Sequence, residues 1–193
     1  MGLGDSIKEV YRKVVKKFPE IDEKDVSITF DFFAGYVAFT SIDAKKFILN
    51  GEVVVKPTLY VGPNFFLLSD REMEMAIAHE LGHYKRERGY SNNVLRRKTN
   101  FIKTMHNYSS MHLEDYLCAC KKEGHKIERL KKWNMLNELY ADNEAVRAGY
   151  YKELLSFLED MVREYDHCYG GVHPMYTGLL KDRIKNLKRK KRT

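Results

Sequence analysis

The chain has 193 residues, 44% of them hydrophobic, and a formal net charge of +7. That length suits one domain with a sizeable core; no run of about 18 apolar residues reads as a membrane span, and the opening Met1-Gly2-Leu3-Gly4-Asp5-Ser6 lacks the charged-then-apolar order of a secretory signal. The charge points to nucleic acid only weakly, because residues 181–193 hold eight Lys or Arg against one acid while the rest of the chain carries 26 of each.

Ser6-Ile7-Lys8-Glu9 has capping-box form and predicts an amphipathic helix with Val10, Val14 and Phe18 on one face, ended by Pro19. The same opening residues fit the loose Met-Gly-x-x-x-Ser acylation pattern, but helix capping by Ser6 explains them more simply.

From Val26 to Phe66 short β-branched and aromatic runs alternate with turn residues. They predict strands at Val26–Phe33, Tyr36–Ile42, Lys46–Leu49, Glu52–Val55 and Thr58–Val61. Asn50-Gly51 reads as a hairpin turn, since both residues tolerate positive φ. Pro57 and Pro63 bracket the last strand and suit an edge position, because proline donates nothing to a ladder. The expectation is a small, mainly antiparallel sheet.

Ser69-Asp70-Arg71-Glu72 is a second capping box. It opens a helix that the basic turn Lys85–Arg88 and Gly89 close. Residues 90–131 are polar and basic and predict one or two less regular helices. A clear helix follows from about Lys132 to Phe157, and Gly170-Gly171 precedes a final short helix into the basic tail. The fold class is therefore α+β: residues 1–193 as one domain, with a helix and sheet at 1–68, a helical part at 69–180 and a tail at 181–193.

The chemistry lies in His79-Glu80-Leu81-Gly82-His83. Residues four apart on a helix share a face, so both imidazoles can bind one zinc ion. Glu80, beside the first His, can accept a proton from water at that ion and pass it to a leaving amine. Gly82 leaves room near the metal. Such a string arises by chance in about one chain in fifty, so it needs support. Support comes from Glu138 and Asp142, again i and i+4, with small Ala141 and Ala145 beside them. Glu138 can be the third ligand, ahead of Glu144 and Glu128, and Asp142 can hold the second nitrogen of a ligand His. Three protein ligands leave one position open, the mark of a catalytic zinc site.

These motifs resemble the gluzincin metallopeptidases, closest to the M48 group of HtpX-like enzymes and to the soluble minimal gluzincins. The resemblance covers about residues 58–88 and 132–187. Thr58-Leu59-Tyr60-Val61-Gly62 and Leu67–Glu72 are similar to the segment before that group's zinc helix. His173-Pro174 with Arg183-Ile184 and Leu187 is similar to its final motif. The group's membrane helices are missing. The resemblance implies a zincin-like fold, one Zn2+ per chain, and hydrolysis of a protein or peptide substrate. It also implies that Thr58, Leu59, Tyr60 and Val61 bind substrate as an added strand, and that His173 helps stabilise the oxyanion. Arg183 reads either as part of the tail or as the partner of a helix carboxylate.

Alternatives stay open at this level. A vestigial or latent zinc protein can act as a binding module, its tail at 181–193 meeting nucleic acid or an acidic partner. A covering segment, either 90–131 or the tail, can block the cleft. Cys118, Cys120, His125, His167 and Cys168 offer a second, structural zinc site, although buried free thiols and surface histidines explain them as well. An odd number of cysteines, with Cys118 and Cys120 too close for an ordinary bridge, suggests free thiols in a reducing, cytoplasmic compartment. Oligomeric state leaves no trace in the sequence.

Overall fold

A computed structural model describes residues 3–32, 35–168 and 174–190. It is α+β and mostly helical, with one three-stranded sheet. Among the described residues no helix is long and apolar enough to cross a membrane.

Helix α1 (Leu3–Val15) buries Ile7, Tyr11, Val14 and Val15, and Phe18 and Ile21 continue the same core beyond its end. The helix begins before Ser6, so Ser6 is not its cap.

The sheet joins β1 (Ser27–Phe30), β2 (Val37–Ile42) and β3 (Val55–Val61) in the order β1-β3-β2. β1 runs parallel to β3 and β2 antiparallel to it, so the sheet is mixed rather than mainly antiparallel. β3 is the central strand, which corrects the edge position read from Pro57. The reason is a bulge: Ile42 faces Val55 while Thr40 faces Thr58, which leaves Lys56 and Pro57 opposite Ser41 alone. A proline in a bulge costs no ladder hydrogen bond.

Lys46–Leu49 is not a strand. Helix α2 (Ala44–Asn50) occupies it, capped by Asp43, whose side chain accepts from the Lys46 N–H at 3.1 Å. Gly51 takes the positive φ of 66° that Asn-Gly allowed, but as the C-terminal stop of a helix. Glu52–Val54 is not strand either.

A short 3-10 turn (Pro63–Leu67) leads into α3 (Asp70–Glu87). The capping box is formed: the Ser69 N–H donates to Glu72 Oε2 at 2.9 Å. Helix α3 packs on the sheet through Tyr84 against Phe39, with ring centroids 5.8 Å apart, and through the Ser41 hydroxyl on buried Glu87.

The stretch after it is more regular than expected: α4 (Asn92–Ser109) and α5 (Leu113–Arg147), with non-helical backbone at Glu123. Helix α5 stops well before Phe157, because Gly149 turns the chain at φ 93°. Helix α6 (Tyr151–Cys168) follows. Helix α7 (Pro174–Lys190) is 17 residues long, not short, and its stripe Leu180, Arg183 and Leu187 is buried.

The chain divides into two compact units, Met1–Leu95 with Tyr140–Leu154, and Arg96–Leu139 with Leu155–Thr193. This differs from one domain cut sequentially at 68 and 180, since each unit gathers distant segments. The first unit holds the sheet, α1 to α3 and the end of α5. The second has its own core of Met105, Tyr108, Tyr116, Ile127 and Leu130, with Phe101 stacked on Trp133 at 5.2 Å. The second unit also carries 19 Lys or Arg against 10 acids. Residues 181–193 supply eight of those bases and one of those acids, so most of the unit's basic excess lies at its C-terminal end.

Candidate metal centre

Helix α3 places His79 and His83 one turn apart, as their spacing requires. His79 is buried and His83 half-buried. Their rings lie 4.9 Å apart between centroids and nearly perpendicular, at 89°. Glu80, half-buried, follows His79 on the same helix.

The opposing helix approaches because nothing bulky intervenes. A Cβ on Gly82 would sit 2.8 Å from Ala141 Cα and 3.1 Å from Glu144 Cβ. Ala141 and Ala145 are both fully buried. Gly82 thus makes room for the backbone of α5 rather than for a metal. That contact brings the next residue, Asp142, fully buried, to His79: Oδ1 lies 3.1 Å from Nδ1. A carboxylate at that distance favours the proton on Nδ1, an arrangement that would leave Nε2 of His79 for a cation.

Glu138 lies one turn before Asp142 on α5. His79, His83 and Glu138 each offer one ligand atom, all within 4.8 Å of one another, near enough to bind one metal ion. Among the described residues no other group of His, Cys, Asp and Glu meets that condition. Two imidazoles and a carboxylate are donors that zinc accepts, and the carboxylate behind His79 is the usual support of a ligand histidine. The residues fit the ion.

The competing carboxylates are used elsewhere. Glu144 is buried between Lys85, at 2.8 Å, and Arg147, at 2.6 Å. Hydrogen bonds from Lys85 to Glu144 and Glu20 hold the Lys85 amine above its ordinary range. Glu128 is exposed and lies 3.5 Å from Lys131. Cys118 is exposed and Cys120 half-buried, both free thiols, so the expected burial of thiols fails at Cys118. The arrangement of Cys168, His167 and His173 lies outside what is described of their side chains, so the oxyanion role read for His173 rests on sequence alone.

The substrate strand needs correcting. Thr58, Leu59, Tyr60 and Val61 pair with Ser27 to Phe30 on one side and with Thr40 to Val37 on the other. With both edges taken, these four residues have no free ladder to offer a peptide.

Arg183 was legible only in part. It is buried, and its Nη1 lies 2.9 Å from Glu138 Oε2. The signal available in the sequence was an arginine inside the apolar spacing Leu180, Ile184, Leu187.

Scans against protein-family models, curated proteins and solved structures return no match to this chain.

Proposed function

We propose that this protein is a zinc-dependent endopeptidase, hydrolysing peptide bonds with Glu80 as general base. The observation that carries the reading is the convergence of His79, His83 and Glu138 with Asp142 behind His79. A structural zinc site is closed by four protein ligands, whereas three leave a position for water or substrate. Zinc, when bound, would polarise the scissile carbonyl and acidify water. Asp142 fixes the tautomer and orientation of His79. Glu80, about 100° round α3 from His79, takes the proton from water and returns it to the departing amine.

Peptide pairing moves from β3 to the outer edge of β2 on this reading. That edge is free of strand partners among the described residues, and β2 is the strand whose Phe39 and Ser41 touch α3. A non-hydrolysable peptide should slow amide hydrogen exchange in Val37–Ile42; unchanged exchange there rules this edge out.

The test of the activity is paired. Glu80→Gln should keep zinc and lose about 10²–10⁴-fold in cleavage of unfolded protein. A wild-type protein that holds zinc yet cleaves nothing removes the enzyme reading. One observation favours a second reading, a zinc-bearing binding module: the basic excess of the second unit. Replacing exposed Lys181, Lys185, Lys188 and Lys190 with Glu should then abolish salt-sensitive retention on nucleic acid.

A further inference from the structure

Helix α7 buries one stripe, Leu180, Arg183 and Leu187. Apolar side chains at these spacings are the ordinary way for a helix to join a core. An arginine among them is costly unless its charge is met, because a guanidinium is always ionised and sheds its water on burial. Arg183 meets a carboxylate, Glu138 Oε2 at 2.9 Å, with side-chain exposures of 10% and 20%. That carboxylate is not just any helix acid: it is the third member of the metal-ligating group.

A carboxylate has two oxygens, so it can accept from Arg183 on one and still offer the other to a cation. Glutamate carries three rotatable side-chain bonds, and ordering them opposes metal binding. A planar guanidinium fixed in a packed helix removes that freedom before the ion arrives. Asp142 does the same for His79 from within α5; Arg183 does it for Glu138 from an element 45 residues further along the chain.

We propose that Arg183 is a positioning residue of the metal site, holding Glu138 in its ligating orientation and making α7 part of that site. This rests on the zinc reading above. It also means that truncating residues 181–193 would remove a support of the site along with the basic residues.

The experiment is a chelator-competition titration of the full chain with zinc alone, on wild type, Glu138→Ala, Arg183→Met, Arg183→Gln and Arg183→Lys. The thermal midpoint of each metal-free protein is measured beside it. Arg183→Met keeps the apolar stripe filled, so its metal-free midpoint should stay near wild type while zinc binds about 10–100-fold more weakly. Arg183→Lys should recover part of that loss, which a merely structural role would not require. Should Arg183→Met fail to fold, Arg183→Gln decides by the same comparison. Wild-type zinc affinity in Arg183→Met or Arg183→Gln, with zinc lost in Glu138→Ala, overturns the positioning role and leaves the zinc reading standing. Zinc retained in Glu138→Ala, or never bound by wild type, overturns the zinc reading and this inference together.

Discussion

Two polar clusters sit within a turn and a half of each other on helix α3, and they are built on opposite principles. At Glu74 one buried carboxylate is surrounded by donors. Lys13 pairs with it, the buried Tyr150 hydroxyl donates at 2.9 Å, and Arg71 lies 3.5 Å away. Arg71 is itself held by Glu153 and by the Gly149 carbonyl, each at 3.1 Å. At His79 the balance reverses: two imidazoles and two carboxylates, His79, His83, Glu138 and Asp142, face one another, and one guanidinium serves them from Arg183. The first cluster has spent its acceptors and closes the fold. The second gathers imidazoles and carboxylates within one small volume, the kinds of ligand a zinc ion takes. Burial of charge alone does not separate structure from site; the kinds of groups gathered do.

The titration of Glu74 fits the closed description. Burial would raise its carboxyl, but hydrogen bonds from Lys13 and Tyr150, with the charges of Lys13 and Arg71, hold it below its ordinary range. Burial and then the Glu74 carboxylate push the Tyr150 phenol up.

The contrast can be broken in four ways. Removing a ligand should have the largest effect: Glu138→Ala should weaken zinc by more than the roughly 100-fold that a supporting residue costs, and it should also lower the metal-free midpoint, because buried Arg183 loses its carboxylate. Undiminished zinc, by direct metal analysis, would show that the acceptor-rich cluster is not a site. Next, Gly82→Ala should disturb both properties at once. Its methyl meets Ala141 Cα at 2.8 Å, backbone that cannot swing aside. The expected cost is about 1–3 kcal/mol in denaturant unfolding, together with weaker zinc as Asp142 withdraws from His79. Loss of stability with zinc affinity intact would separate the helix approach from the site.

Glu74→Gln should be purely structural. It leaves the buried Tyr150 hydroxyl poorly matched, at about 1–3 kcal/mol, and zinc affinity should not move. The smallest effect concerns pH. The folded Glu74 carboxyl lies below its unfolded value, so its stabilisation is present above about pH 4.3 and disappears as pH falls through the lower folded value. Metal-free wild type should therefore lose more stability on acidification through that window than Glu74→Gln does. Equal losses would remove Glu74 from the account.

The local parts of this protein were readable in one dimension. The Ser69 cap, the shared face of His79 and His83, and the pairing of Glu138 with Asp142 all follow from helical periodicity, which acts over four residues or fewer. Ala141 and Ala145 were legible as small residues beside Glu138 and Asp142, but the close approach of α3 that they permit was not. Errors came where the same local signal has two uses. Asn50-Gly51 allows a positive φ, and either a hairpin or a helix stop can take it. Pro57 forbids a ladder bond, and either an edge or a bulge satisfies that.

What the sequence determined by itself, then, is the chemistry of the candidate centre: which donors exist, and on which helical faces. Only the tertiary structure decided that Gly82 opens space for α5, that β3 has neighbours on both sides, and that Arg183 meets Glu138. Each of these depends on segments tens of residues apart in the chain, and sterics and charge pairing between such segments leave no periodic trace in the residues themselves.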